Sequence, residues 1–172
     1  MSFGEKILDY KEDILKDLDE LLKIQSVSSK SQEDASEALK FILKRAEEMG
    51  LTTENVDDIA GHAEYGKGDE IAAVLSHVDV VPSGDGWSVE PFALTRKNGR
   101  LYGRGIADDK GPAIIALYCL KALKDSGVPF KRRLRTIFGA SEEVGMADMD
   151  RYFSKQPLPN MGFTPDLEYG IC

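Results

Sequence analysis

The chain has 172 residues, 42% hydrophobic and 30% charged, with 22 Lys plus Arg against 30 Asp plus Glu and a net charge of -8. This suits about one globular domain able to bury a sizeable core, and it excludes disorder as the default state. The acidic balance, relieved only by the short cluster Lys131-Arg132-Arg133 with Arg135, excludes a nucleic-acid partner, and the longest apolar run, Ala113 to Leu120, is too short to cross a bilayer.

The N-terminal Met-Ser-Phe-Gly-Glu-Lys has no basic region leading into an apolar one, so a cytoplasmic location is expected. From about Gly4 to Ile24, Ile7, Leu8, Ile14, Leu15, Leu18, Leu21 and Leu22 recur at helical spacing, which predicts an amphipathic helix docked on the domain's own core. A second helix follows, with capping-box spacing at Ser31 and Asp34, an apolar face of Leu39, Ile42, Leu43 and Ala46, and Gly50 as the residue just past its end.

Beyond Gly50 the period becomes extended, with strands predicted at about Thr52 to Val56, His62 to Tyr65 and Ile71 to His77. The last is nearly all apolar, as a strand covered on both faces would be. Phe92 to Arg96 and Arg100 to Arg104 flank Asn98-Gly99, a strong type I′ hairpin signal. A helix over Pro112 to Lys124, a buried strand over Leu134 to Ala140, and a short helix over Ala147 to Ser154 come next; Gln156 to Pro165, with its three prolines, reads as irregular connection. Cys119 in the helical pattern and the terminal Cys172 are expected to be free thiols. The order predicts an α/β domain whose sheet is covered by helices, with functional groups at the strand ends.

Three polar segments stand at such ends. Ser76-His77-Val78-Asp79 follows one apolar strand, and in extended backbone His77 and Asp79 share a side, so that Asp79 can orient the imidazole of a metal-ligating His77. By spacing alone such a pair is more often an ordinary surface pair. Asp108-Asp109 lies in the glycine-rich turn Gly103 to Gly111 before an apolar helix, where a helix-capping role would also account for an aspartate. Ser141-Glu142-Glu143 follows the second buried strand, and Asp166 comes later in Phe163-Thr164-Pro165-Asp166. Each acid alone could be solvated; together with a histidine they are the parts of a two-metal site, because divalent cations take oxygen and imidazole ligands and one carboxylate can bridge two ions.

Those segments, with Gly84-Asp85-Gly86-Trp87, Pro91-Phe92, the Asn98-Gly99 hairpin and Gly162 to Asp166, resemble the signatures of the zinc-dependent aminoacylase and dipeptidase superfamily, peptidase family M20. Within it they are similar to the bacterial Xaa-His and beta-Ala-Xaa dipeptidases. The resemblance implies a three-layer sandwich, a mixed central sheet flanked by helices, and a dinuclear Zn2+ centre, with Mn2+ or Co2+ as alternative metals. It implies that His77, Asp108 and Asp166 hold the first zinc, that Asp108 bridges to a second held by Glu143, and that Asp79 orients His77. Glu142 is then the general base that takes a proton from water and passes it to the leaving amine. The bond after Asp108 is expected to be cis. The implied reaction is hydrolysis of a small peptide, with N-acyl amino acid deacylation or desuccinylation as one alternative and a non-catalytic metal-binding remnant as another.

Members of that family are longer, with a lid domain and a later histidine that completes the second metal site. Residues 1–172 are therefore expected to be the N-terminal part of a catalytic domain whose lid and C-terminal part are absent. On this expectation the chain binds zinc weakly at the first site, hydrolyses dipeptides poorly or not at all, and self-associates through exposed apolar surface. His62, on a modest strand, is expected to be a surface side chain.

Overall fold

A computed structural model of the chain describes residues 3–166. The N-terminal segment is helical almost throughout: α1 (Phe3–Lys6), a 3₁₀ turn (Ile7–Tyr10) and α2 (Lys11–Lys23). The spacing of its apolar residues puts Leu18, Leu21 and Leu22 in the core, and the one buried acid of that face, Asp17, accepts a hydrogen bond from Tyr118 Oη at 2.8 Å and pairs with Arg45 at 3.0 Å. Helix α3 (Gln32–Glu48) begins as predicted, with Ser31 Oγ accepting from the Asp34 N–H, and Gly50 beyond its end takes the left-handed φ of +73° that ends a helix at least cost in glycine.

Strands β1 (Thr52–Val56), β2 (Ala60–Tyr65) and β3 (Ile71–His77) follow, then the short hairpin β4 (Thr95–Lys97) and β5 (Arg100–Tyr102). Asn98 and Gly99 both have positive φ, as a type I′ turn requires. Helix α4 (Lys110–Asp125), β6 (Arg133–Gly139), a 3₁₀ turn at Glu142–Val144, α5 (Ala147–Phe153) and β7 (Met161–Phe163) complete the described residues. The main sheet has the order β1-β2-β6-β3-β7; β1, β2 and β6 run antiparallel, whereas β6, β3 and β7 are mutually parallel.

Alternation along the strands divides the core. Phe138 and Ala63 face a cluster with α2, α3 and α4, while Ile137, Ala60 and Ile71 face Met149 and Tyr152 of α5, so the sheet is sandwiched between helical layers. The three-layer, mixed-sheet expectation is met.

Two expectations need correction. The segment Gln156 to Pro165 is not wholly irregular, because β7 pairs there with β3. Asn160 starts the strand by using its side chain as well as its backbone: Oδ1 accepts the Ile71 N–H at 2.8 Å and its own N–H donates to the Ile71 carbonyl at 2.9 Å. His62 is not a surface residue either, being only 4% exposed, because α5 covers that face of β2 and its Tyr152 Oη meets His62 Nδ1 at 2.8 Å. Cys119 is a free thiol, and Cys172 lies outside the described residues. Between α2, α4 and β7 runs an apolar cleft of about 760 Å³, whose walls include Leu8, Leu15, Ile115, Cys119 and Phe163.

Candidate metal centre

The parallel strands β6, β3 and β7 all deliver the residues that follow them to one end of the sheet, the end where ligands bind in such architectures. His77 closes β3 opposite Gly139 of β6, Asp79 follows it, and the Val78 N–H donates to the Gly139 carbonyl at 2.9 Å. Glu142 and Glu143 lie just beyond β6, Asp166 just beyond β7, and Asp108 at the start of α4.

His77 is the hub. Its ring is buried, with Nδ1 at 2.9 Å from the Asp79 carbonyl and 3.3 Å from the Asp79 carboxylate. The shorter contact fixes the proton on Nδ1, which leaves Nε2 aimed at Asp108 Oδ1 3.1 Å away. Glu142 Oε2 and Asp166 Oδ2 each lie 3.9 Å from the same nitrogen. Ligand atoms in His77, Asp108 and Glu143 come within 4.8 Å of one another, as do those in His77, Glu142 and Asp166. All six residues singled out in the sequence are thus brought together.

Asp79 contributes more than orientation of the imidazole. Fully buried, it accepts the backbone N–H groups of Glu142 and Glu143, one on each carboxylate oxygen, at 3.2 Å. It therefore links the histidine to the turn carrying both glutamates. Burial opposes ionisation of Asp79, but His77 and the Glu143 N–H outweigh it and hold the carboxyl below its ordinary range. Burial likewise opposes the charged form of His77, yet Asp79, Asp109 and Glu142 raise its pKa to about 10. Glu142 and Glu143 are both shifted upward, by burial first and then by neighbouring carboxylates, Asp166 for Glu142 and Asp108 for Glu143.

Three supporting roles are not legible in the sequence, where Asp109 figures only as the second acid of its turn. Asp109 stands at the capping position of α4 but makes no side-chain cap; it is fully buried and accepts the His77 backbone N–H at 3.0 Å, while burial lifts its pKa to about 7. Lys110, also fully buried, donates to carbonyls at the end of α2. Asp148 of α5 accepts the Ser141 N–H at 2.9 Å, and its own N–H donates to Ser141 Oγ at 3.1 Å, which anchors the start of the glutamate turn. The Asp108–Asp109 peptide bond is cis, as the resemblance implies. A glycine is required at 111, where an added Cβ would stand 2.0 Å from the Ile106 carbonyl oxygen.

The donor set fits a divalent cation. Ligands about 2.0–2.2 Å from a tetrahedral zinc lie about 3.3–3.6 Å apart, comparable with the 3.1 and 3.9 Å separations around His77 Nε2. His77 belongs to both groups, so any second cation would depend on carboxylates among the described residues.

A sandwiched mixed sheet with this donor cluster at its parallel end defines a class. The chain belongs to peptidase family M20/M25/M40, whose family model matches residues 73–170, more than half of its length. Among curated relatives it is 41% identical, over 99% of its own length, to the Bacillus subtilis protein named "Putative dipeptidase YtjP", and 42% identical over 96% to "Putative dipeptidase SAUSA300_1697" of Staphylococcus aureus. The chain spans about two fifths of these relatives, 39% and 37%. Among solved structures, the yeast di-peptidase Dug1p is 26% identical with a TM-score of 0.74, covering 89% of this chain and 37% of that one. The M20 family metallo-carboxypeptidase Sso-CP2 of Sulfolobus solfataricus is 26% identical with a TM-score of 0.73, covering 83% and 34%. Human carnosine dipeptidase 1, 24% identical, shares the fold with a TM-score of 0.77 over 97% of this chain and 41% of that one.

Proposed function

We propose that this chain supplies the metal-binding and proton-transfer groups for hydrolysis of a dipeptide amide bond, with zinc as the metal and two cations in the working centre. The observation that carries this reading is the convergence of Asp108, Glu142 and Asp166 within 3.1–3.9 Å of one buried imidazole nitrogen, at the ends of parallel strands. Membership of a peptidase family and relatives named as dipeptidases support the substrate class; no observation favours an N-acylated amino acid. His77, Asp108 and Asp166 would hold the first cation, with Asp108 and Glu143 extending to the second. A divalent cation in such a site supplies Lewis acidity, lowering the pKa of a water molecule and polarising a carbonyl oxygen.

The protein's own groups do the rest. Asp79 fixes the His77 tautomer and holds the glutamate turn in register with it. Glu142, half-buried and raised in pKa by burial and by Asp166, can take a proton from the attacking water and return it to the departing amine. Glu142→Gln tests the role. Zinc per chain should stay at the wild-type level while zinc-dependent release of amino acids from a dipeptide such as Ala-Ala, already slow for this chain, falls by more than about a hundredfold. Loss of zinc with the substitution, or hydrolysis indifferent to it, would remove Glu142 from the proton-transfer role.

A further inference from the structure

Lys110 is among the largest fully buried side chains, yet its hydrogen bonds go to backbone carbonyls and not to the carboxylates. Its Nζ donates to the Leu21 carbonyl at 2.9 Å and to the Ile24 carbonyl at 2.7 Å. Leu21 lies in the last turn of α2 and Ile24 just past its end, where helix carbonyls lack partners and the dipole favours a cation. Capping alone would account for a basic residue near that helix end. It does not account for one that begins another helix, two residues after a candidate metal ligand.

The segment it grips leads directly to the metal centre. Two residues after Ile24, Ser26 Oγ donates to the Val78 carbonyl at 2.6 Å, and the Val80 N–H donates to the Ser26 carbonyl at 2.9 Å. Val27 and Val80 form a parallel bridge. The backbone on both sides of Asp79 is thus held by the strip that Lys110 holds at its start. The lysine stem also shapes its own turn: an added Cβ at Gly105, where φ is +91°, would meet Val80 Cγ1 at 3.0 Å and Lys110 Cδ at 3.2 Å. The Asp108 turn and the His77–Asp79 segment come from distant parts of the chain; Asp109 ties them directly through the His77 N–H, and Lys110 adds a second buried tie through the end of α2.

We infer that Lys110 is a positioning residue for the metal centre, setting the separation between Asp108 and His77 through the end of α2. The inference rests on the metal-site reading above. Lys110→Met keeps the stem and deletes the donors, and Lys110→Gln retains a shorter, uncharged donor group should the first variant fail to fold. The control is Tyr118→Phe, which removes a buried hydrogen bond between the same two helices, α2 and α4, eight residues along. Co2+ is the probe, added to the 172-residue chain, with affinity read by calorimetry and ligand geometry by the visible d–d spectrum.

Both Lys110 variants should bind Co2+ about 10- to 100-fold more weakly, with an altered spectrum, as expected when a residue that orients ligands is lost. Tyr118→Phe should lower thermal stability while leaving Co2+ affinity and spectrum at wild-type values. Wild-type Co2+ binding in a folded Lys110 variant, or equal weakening in Tyr118→Phe, would overturn the positioning role and leave the metal site standing. Wild-type protein whose Co2+ binding is indifferent to His77→Ala would overturn the metal-site reading and the role of Lys110 with it.

Discussion

Acid should selectively weaken the protein through His62, a residue outside the metal centre. The ring is buried between β2 and α5, its Nδ1 meets Tyr152 Oη at 2.8 Å, and Arg135 donates to that same hydroxyl at 3.0 Å. Burial, reinforced by the charges of Arg135 and Arg133, lowers its pKa from 6.5 to about 3. The folded pKa lies below the unfolded one, so the unfolded chain binds the extra proton first; the contribution is fully present above about pH 6.5 and is lost as pH falls toward 3. Between pH 7 and pH 4.5 the loss amounts to about 2–3 kcal/mol, or about 5–10 °C in Tm for a chain of this size. Urea unfolding of wild type and His62→Gln at both pH values isolates it, because the carboxylates are common to the two proteins and cancel. The stability difference between them should shrink by that amount on acidification. A difference independent of pH would mean that His62 accepts its proton inside the fold, and the reasoning would fail.

Two further outcomes follow from the packing. Asp148→Ala strips the buried Ser141 N–H of its acceptor and should cost about 1–3 kcal/mol by denaturant titration, with cation affinity falling as the glutamate turn loosens; unchanged stability and affinity would show that turn to be held by Asp79 alone. The apolar cleft beside α4 should enhance the fluorescence of an anilinonaphthalene dye, and Ile115→Glu, at a position 44% exposed, should abolish the signal while changing stability by no more than about 0.5 kcal/mol. Equal dye fluorescence in that variant would place the dye elsewhere.

What could be read from the sequence was what local chemistry decides. Ser31 with Asp34 marks a helix start, Asn98-Gly99 marks a turn that needs two positive φ values, and the apolar runs of β3 and β6 mark buried strands. Strand β7 escaped because only three residues between prolines form it and their partner, β3, lies nearly ninety positions away. His62 escaped because its cover comes from α5, whose approach no local pattern encodes. At the metal centre, spacing alone left His77 and Asp79 open to a surface role, and the resemblance to the M20 peptidases united them with Asp108, Glu142, Glu143 and Asp166. The roles of Asp109, Lys110 and Asp148 went unread because each serves backbone groups of another segment, and such hydrogen bonds leave no periodic signal.

The most direct test of the account is the number of zinc ions retained per chain after equilibrium dialysis, measured by elemental analysis for wild type, His77→Ala and Asp108→Ala. The account predicts at least one zinc per wild-type chain when the dialysis buffer holds zinc in excess, lost in His77→Ala and much weakened in Asp108→Ala. Wild type that retains no zinc, or His77→Ala that retains as much as wild type, would contradict it.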